Sequence, residues 1–472
     1  MQHVRGGGHV VRWLGSQAVR RKQGRADQEA AREDPRRRAR EVGAQQVSGD
    51  VTIYDQMVPY LGEDDMRTPA AMRPEARVVA DHERGVLYRG PWETYADGFC
   101  EHTRRSARAL AMAGVPTHLR SISPKFRYPV GDERRIDRDF ADLLNASIAS
   151  YATQVIQTVP SDGSLSSLVS YRNYPVEHQK YINERKAIYT VWERFSGLGS
   201  SDVRALNMVG QAWVGCEASA TFLKEAGVDE KRLRVVPCPY MPGDPLQALA
   251  GRARRKGPVR FYHIGKWEPR KEQRNILGAF LMAFAPGEAM LLLKTSESAP
   301  YFDGYPVGPE AALHAWLKDE RVKKKGWTIA NITRGVFIIA RRLTDEQMVD
   351  LHRKGDVYVS LSRAEGFDMP AFDSKLAGNL MVYTPSGGPQ DFAMVEDIEV
   401  PATGRAPCHG FYKWHKDAMY LDYDIETAVV AMREAAELAK ARTVASTVTP
   451  VEFSAERVGQ RMAGYLREMA EL

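Results

Sequence analysis

The chain is short of cysteine and has no long apolar run. Its four cysteines, Cys100, Cys216, Cys238 and Cys408, lie far apart and form no CxxC pair. That spacing argues against a disulfide framework and a cysteine zinc site, and it suits a reducing cytoplasm. No stretch approaches the roughly 20 apolar residues of a membrane span. The start, MQHVRGGGHVVRWLGSQ, has no clean apolar segment and no small-residue cleavage site, which argues against a secretory signal. The first strand candidate is followed by YRGPWETYADGF rather than GxGxxG, which argues against a Rossmann-type dehydrogenase. No Ser-His-Asp set, nucleophilic carboxylate pair or metal-ligating cluster is evident in the sequence.

Net charge is also scarce outside one segment. The formal charge is +6, but residues 1–50 hold eleven Lys/Arg and six acids, leaving 55 basic and 54 acidic residues for the rest. The excess belongs to a segment with few large apolar residues, read as a disordered basic tail. Such a tail either touches an anionic partner or is a solvated extension.

What is present is a repeating α/β pattern. At 472 residues the chain is long for one core, which predicts two domains. RGVLYRG (84–90), THLRSI, ATQVIQTVP, KAIYTVWE, QAWVGC and LRVVPCPY read as strands. FCEHTRRSARALAMAGV reads as a helix with Phe99, Ala107, Leu110 and Ala111 on one face and Gly114 as its stop. The alternation breaks at a Pro- and Gly-rich basic stretch and restarts with VRFYHIG, NILGAFLMAFA, AMLLLKT, GVFIIAR, TDEQMVDLHRKG and DVYVSLS. We therefore expect residues 51–242 as an N-terminal α/β domain, 243–257 as a linker and 258–440 as a second α/β domain, with residues 441–472 helical.

Unusual residues gather at the predicted carboxyl ends of strands, where open parallel sheets bind ligands. HIGKWEPRKE supplies Gly265, Lys266, Arg270 and Lys271. LLLKTS supplies Lys294, SLSRAEGF supplies Glu365, and TPSGG supplies Ser386, Gly387 and Gly388. Glycines before a helix let backbone N–H groups approach a phosphate, and basic side chains neutralise a diphosphate without a metal. Each feature also has an ordinary reading: a solvated lysine, a charged helix start, a turn, a cap acid. His263, inside an apolar strand, reads as a core residue before it reads as a catalyst.

EGFDMPAFDSKLAGN resembles the E-x(7)-E signature of retaining glycosyltransferases of the GT-B fold (family 4-like, group 1), commonly written EGFGLPxxEAxAxG. Glu365, Gly366, Phe367 and Pro370 match, Asp373 takes the second Glu position and Gly378 the later glycine. GKWEPRKEQRNILGAFLMAF and YTVWERFS…QAWVGCEASATFLKEAGVDEKRLRVVPCPY are similar to further segments of that family, so the likeness covers roughly 82–472.

The resemblance implies two Rossmann-like domains facing a cleft, 51–242 holding the acceptor and 258–440 the nucleotide sugar, with 441–472 crossing back to the first, and transfer of a sugar from a nucleotide-diphosphate donor with retention. It implies no cofactor and no metal. Glu365 would contact the donor sugar or the α-phosphate region, and Asp373 the ribose hydroxyls. Arg270 or Lys271, with Lys294, would hold the diphosphate. Gly98 would allow close approach from the opposite wall, and Ser386, Gly387 and Gly388 would offer backbone donors. Gly265, Lys266, Gly366 and Phe367 complete the donor side. Glu193 either orients the acceptor or caps a turn; Trp92 and Trp192 either stack on a sugar or pack in the core. The acceptor is open among saccharide, lipid-linked sugar, protein and nucleobase. A cytoplasmic enzyme is expected, with membrane contact compatible but not required. The sequence departs from the pattern at Asp373, one methylene shorter than Glu. It departs also at Asp368 for a small residue, Leu380 for proline, and Lys266 where many relatives carry Arg. A sugar-nucleotide epimerase or a non-catalytic nucleotide-sugar-binding protein of the same fold are the alternatives.

Overall fold

The structure, a computed structural model, describes residues 85–92, 98–121, 143, 151–158, 164–169, 176–295, 308–341, 343–408, 417–446 and 450–470. All fall in one compact unit, Met57–Leu472. The basic segment 1–50, expected to be a disordered tail, lies outside the described residues.

The first apolar runs form β1 (Gly85–Arg89), β2 (Thr117–Arg120), β3 (Tyr151–Thr158), β4 (Lys186–Thr190), β5 (Gln211–Val214) and β6 (Leu233–Val235). They pair in parallel in the order β2-β1-β3-β4-β5-β6. β1, β4 and β5 are buried along their whole length, which is why they read as continuous rather than alternating apolar runs. α1 (Gly98–Met112), α2 (Val176–Glu184), α3 (Ser200–Met208) and α4 (Glu217–Glu225) connect them.

The second half repeats the plan with β7 (Val259–Ile264), α5 (Gln273–Ala283), β8 (Ala289–Lys294), α6 (Gly308–Trp316), α7 (Glu320–Lys324) and β9 (Val336–Ile339). There follow α8 (Asp345–Lys354), β10 (Val357–Ser360), α9 (Met369–Leu376), β11 (Leu380–Tyr383), α10 (Pro389–Phe392) and β12 (Ile398–Glu399). Its sheet is parallel, in the order β12-β11-β10-β7-β8-β9. The order reverses between β7 and β10, so the switch point of the sheet, where α/β folds place ligands, lies between their carboxyl ends.

Two features were less legible from pattern. β13 (Ala402–Pro407) and β14 (Met419–Tyr423) form an antiparallel pair outside the two sheets. β13 is mostly solvent-exposed, so no apolar periodicity marks it. The Pro/Gly-rich segment 243–257 holds a short helical turn, Gln247–Leu249, and buries Leu246 and Leu249 against the second half. After α11 (Ile425–Ala441) the chain returns, and α12 (Ala455–Ala470) lies on α1. A Cβ at Gly459 would stand 2.1 Å from the Ala109 carbonyl oxygen, so the two helices touch backbone to backbone. Val458, Met462, Leu466 and Met469 of α12 are buried in the core of the first sheet. Among the described residues no helix is long and apolar enough to cross a membrane.

Candidate functional site

The switch point is built by two loops. One runs from β7 through Gly265 and a short turn, Pro269–Lys271, to α5; the other runs from β10 through Leu361–Asp368 to α9. Each loop ends in an acidic residue with left-handed backbone: Glu272 at φ 53° and Asp368 at φ 65°. Among the described residues these are the two non-glycines with positive φ. Such conformations are costly and persist where the surroundings over-determine them. Here the side chains are tied down. Glu272 pairs with Arg363 Nε at 2.7 Å, and Asp368 Oδ2 accepts from Ser360 Oγ at 2.5 Å.

Between the loops lies a buried charge cluster. Lys271 Nζ is 2.6 Å from Glu365 Oε1, and Arg270 is 3.1 Å from Oε2. The same guanidinium reaches Glu268 at 2.9 Å, donates to the Ala364 carbonyl at 2.7 Å, and meets Glu193 from the first sheet at 3.1 Å. Burial alone would raise the Glu365 carboxyl, but Lys271 and then Arg270 hold it well below the usual carboxylate range. Burial raises Glu193, with Glu365 adding to the shift against Arg270. Burial and then the Glu365 charge lift Asp368 to about 6. The site thus holds one firmly ionised carboxylate beside two that bind protons more readily.

The glycine-rich loop after β11 completes this wall. Glu365 N–H donates to the Ser386 carbonyl at 2.7 Å. Added Cβ atoms at Gly387 and Gly388 would fall 2.0 Å from the Glu365 carbonyl oxygen and 2.1 Å from that of Phe367. The close approach that demands these glycines is therefore to the chain's own backbone. Several buried polar atoms around the wall have no hydrogen-bond partner: His263 Nε2, Gln273 Nε2, Thr295 Oγ1 and Ser386 Oγ. Buried polar groups are normally satisfied, so these atoms stand out. The His263 ring is otherwise committed: its Nδ1 donates to the Val359 carbonyl at 2.8 Å, and burial lowers its pKa to about 4.

The opposite wall comes from the first sheet. Gly366 lies against it, since a Cβ there would meet Val191 Cγ1 at 2.7 Å. Gly98, at the start of α1, faces Met369. Asp373 is not part of the Glu365 cluster. Its Oδ1 is 3.2 Å from Arg105 of α1, whose Nε also binds Glu101 at 2.9 Å. Burial lifts the Asp373 carboxyl to about 6, with Arg105 opposing. Sequence reasoning missed Arg105 and Glu101. The signal was present: EHTRRS in α1 is a run of six polar residues, and the last five are buried.

The remaining candidates are dispersed. Trp192 is buried and stacked on Phe222 at 5.5 Å, with Arg194 over its ring at 4.3 Å. Trp92 packs against the first core. Phe367 is buried among Phe372, Phe392 and Phe453. Lys294 Nζ donates to the Thr295 carbonyl at 2.7 Å, and Lys266 is exposed. Among the described residues no group of three or more His, Cys, Asp or Glu could hold a metal ion.

No family model and no curated protein matches the chain. Solved structures do. The lipopolysaccharide outer core galactosyltransferase WaaB superposes with a TM-score of 0.50 at 12% identity, over 81% of this chain and 99% of its own. Sucrose-phosphate synthase from Thermosynechococcus elongatus gives 0.49 at 13%, over 82% and 99%. A glycosyltransferase from Rickettsia africae gives 0.47 at 12%, over 82% and 98%. The first of these likenesses, together with the paired six-stranded parallel sheets, carries the architecture. This chain has the GT-B fold, two Rossmann-like domains with the candidate site where their walls meet.

Proposed function

We propose that the protein is a glycosyltransferase that takes a sugar from a nucleotide-diphosphate donor and passes it to an acceptor with retention, without a metal. The observation that carries this is the buried Lys271–Glu365–Arg270 cluster at the switch point of the second sheet. Lys271 has one carboxylate partner among the ion pairs of the described residues, so its ammonium can turn to a diphosphate and stabilise the charge that develops as the sugar leaves. Arg270 is shared by three carboxylates and positions the loop while adding positive potential. Glu365 orients Lys271 and faces the donor sugar. In this reading the leaving diphosphate helps take the acceptor proton, so the protein needs no separate nucleophile. Glu193, from the other wall and with a raised pKa, orients the acceptor hydroxyl. Asp373 contacts the ribose when Arg105 yields part of their pair. The fold that the chain shares with a galactosyltransferase supports the reaction class without naming this donor or acceptor.

The test is a thermal-shift screen against nucleoside diphosphates and nucleotide sugars, since a ligand that binds the folded state raises its midpoint. One nucleotide is expected to shift the wild-type chain and to shift Lys271→Ala much less. Product formation with that donor and an acceptor panel should vanish in Glu365→Ala while its far-ultraviolet spectrum is unchanged. Full activity in Glu365→Ala would overturn the site. Turnover of the donor with no acceptor present would point to epimerisation instead.

A further inference from the structure

At the other end of the second sheet lies a cavity of about 240 Å³ lined by Arg252, Arg254, Arg255, Arg353, Lys354 and Arg442, with Asp356 as the acid in its lining. Asp356 directly precedes β10 and Leu380 opens β11. The cavity therefore sits at the amino ends of the strands whose carboxyl ends carry Glu365. It is distinct from the proposed donor site and does not rest on that reading.

Basic residues at helix C-termini are ordinary, because the terminal carbonyls offset them. Here those carbonyls are already taken. The Arg252 guanidinium donates to the carbonyls of His352, Arg353 and Gly355 at the end of α8, and also to Ala377 and Asn379. The other cations share few acids. Arg353 and Lys354 both lean on Asp350, and Arg442 reaches Glu396 at 3.1 Å. Arg254 Nε stands 3.6 Å from Asp356 and is buried without a hydrogen-bond partner. Arg255 is exposed and has no ion pair among the described residues. Six cations against Asp350, Asp356 and Glu396 leave a positive surplus, and it lines a concavity.

We infer that this cavity is a second binding site, for a small phosphate-bearing anion. Guanidinium groups from several segments converging on a concave space match phosphate oxygens in geometry and charge. The volume lies just below the range of small-ligand sites, about 300–1,000 Å³, and favours a small molecule over a polymer. The position gives the site a consequence. Both crossings between the domains run along it, bridged at Ala253–Val444, with Arg254 N–H donating to the Thr443 carbonyl at 2.9 Å and Ala445 N–H to that of Arg252 at 2.9 Å. An anion bound there bears on both connections at once.

The experiment is isothermal titration of the full chain with inorganic pyrophosphate, on wild type and on Lys271→Ala, which disables the proposed donor site. Both are expected to bind. Arg255→Glu/Lys354→Glu reverses two exposed charges of the lining. It should weaken pyrophosphate by about tenfold or more, as expected when charged hydrogen bonds are lost. Hydrogen exchange should show protection by pyrophosphate at 252–254 and 443–446. Parallel titration with a sugar phosphate separates the sources: tighter binding assigns the site to a phosphate ester, weaker binding to free diphosphate. Unchanged affinity in the charge-reversed chain, or no binding to Lys271→Ala, overturns the site. Binding of an oligonucleotide through the same arginines with none of pyrophosphate also overturns it.

Discussion

Glu365 carries a measurable signature of its surroundings. Its carboxyl is lowered from 4.5 to about 2 in the folded chain, with the pull of Lys271 and Arg270 exceeding the opposing effect of burial. A carboxyl depressed on folding contributes stability that is complete above its unfolded pKa and is lost as pH falls toward the folded value. Glu365→Gln removes that contribution. The gap in melting temperature between wild type and Glu365→Gln should be largest above about pH 5 and should close as pH falls toward about 2. Calorimetry across that range checks it, and a gap independent of pH would mean that the carboxylate is not ionised in the fold. At this scale the sequence was informative because Glu365, Lys271 and Arg270 sit at strand ends, where spacing and charge show in one dimension. Arg105 was not legible. Its partner Asp373 lies 268 positions away, and no local pattern connects them.

That same pair belongs as much to α1 and α9 as to two residues. Arg105→Ala leaves Asp373 in a mostly buried position without its cation and should cost about 2 kcal/mol. Arg105→Met/Asp373→Leu, which removes both charges, should cost less than the two single changes combined. Urea titration of the four proteins measures the coupling. The glycine loop gives a second test. Gly388 has ordinary negative φ, yet its Cβ would strike the Phe367 carbonyl oxygen at 2.1 Å. Gly388→Ala must push the loop away from the strand–helix turn that holds Glu365, at a cost of about 2 kcal/mol. Any proposed donor binding should weaken with it in the same thermal-shift assay. From sequence these glycines suggested phosphate contact. The structure shows why backbone packing demands them first, a distinction that residue type alone does not make.

For the whole molecule, the decisive feature is that the two walls touch. Beyond Arg270–Glu193 and Arg105–Asp373, the Glu217 N–H of α4 donates to Asp391 at 2.9 Å, and Phe195 N–H donates to the Met419 carbonyl at 2.9 Å. Glu365 is only 4% exposed behind these contacts, so the proposed donor reaches it only if they part. The chain's return through α12 sets a limit on how independent the halves are. Deleting residues 455–472 uncovers the seat of Val458, Met462, Leu466 and Met469, each worth roughly 1.5–3 kcal/mol of burial. Together these approach the entire stability of a typical domain, about 5–15 kcal/mol. The truncated chain should lose protease resistance in its first half, read by mass spectrometry of the fragments, while the second half persists longer.

The sequence by itself determined the two parallel α/β halves and the segments that form the Lys271–Glu365–Arg270 site. Both follow from local chemistry: buried strands read as apolar runs, and the loops of the candidate site follow them at the carboxyl ends. Only the tertiary structure decided which acids share a cluster, that Asp373 answers to Arg105 across the interface, and that the glycines of the last loop serve the turn beside Glu365. It alone gathered six cations at the far end of the second sheet. These pairings join residues scores to hundreds of positions apart, and the closure of the fold, rather than any local period, brings them within a hydrogen bond of one another.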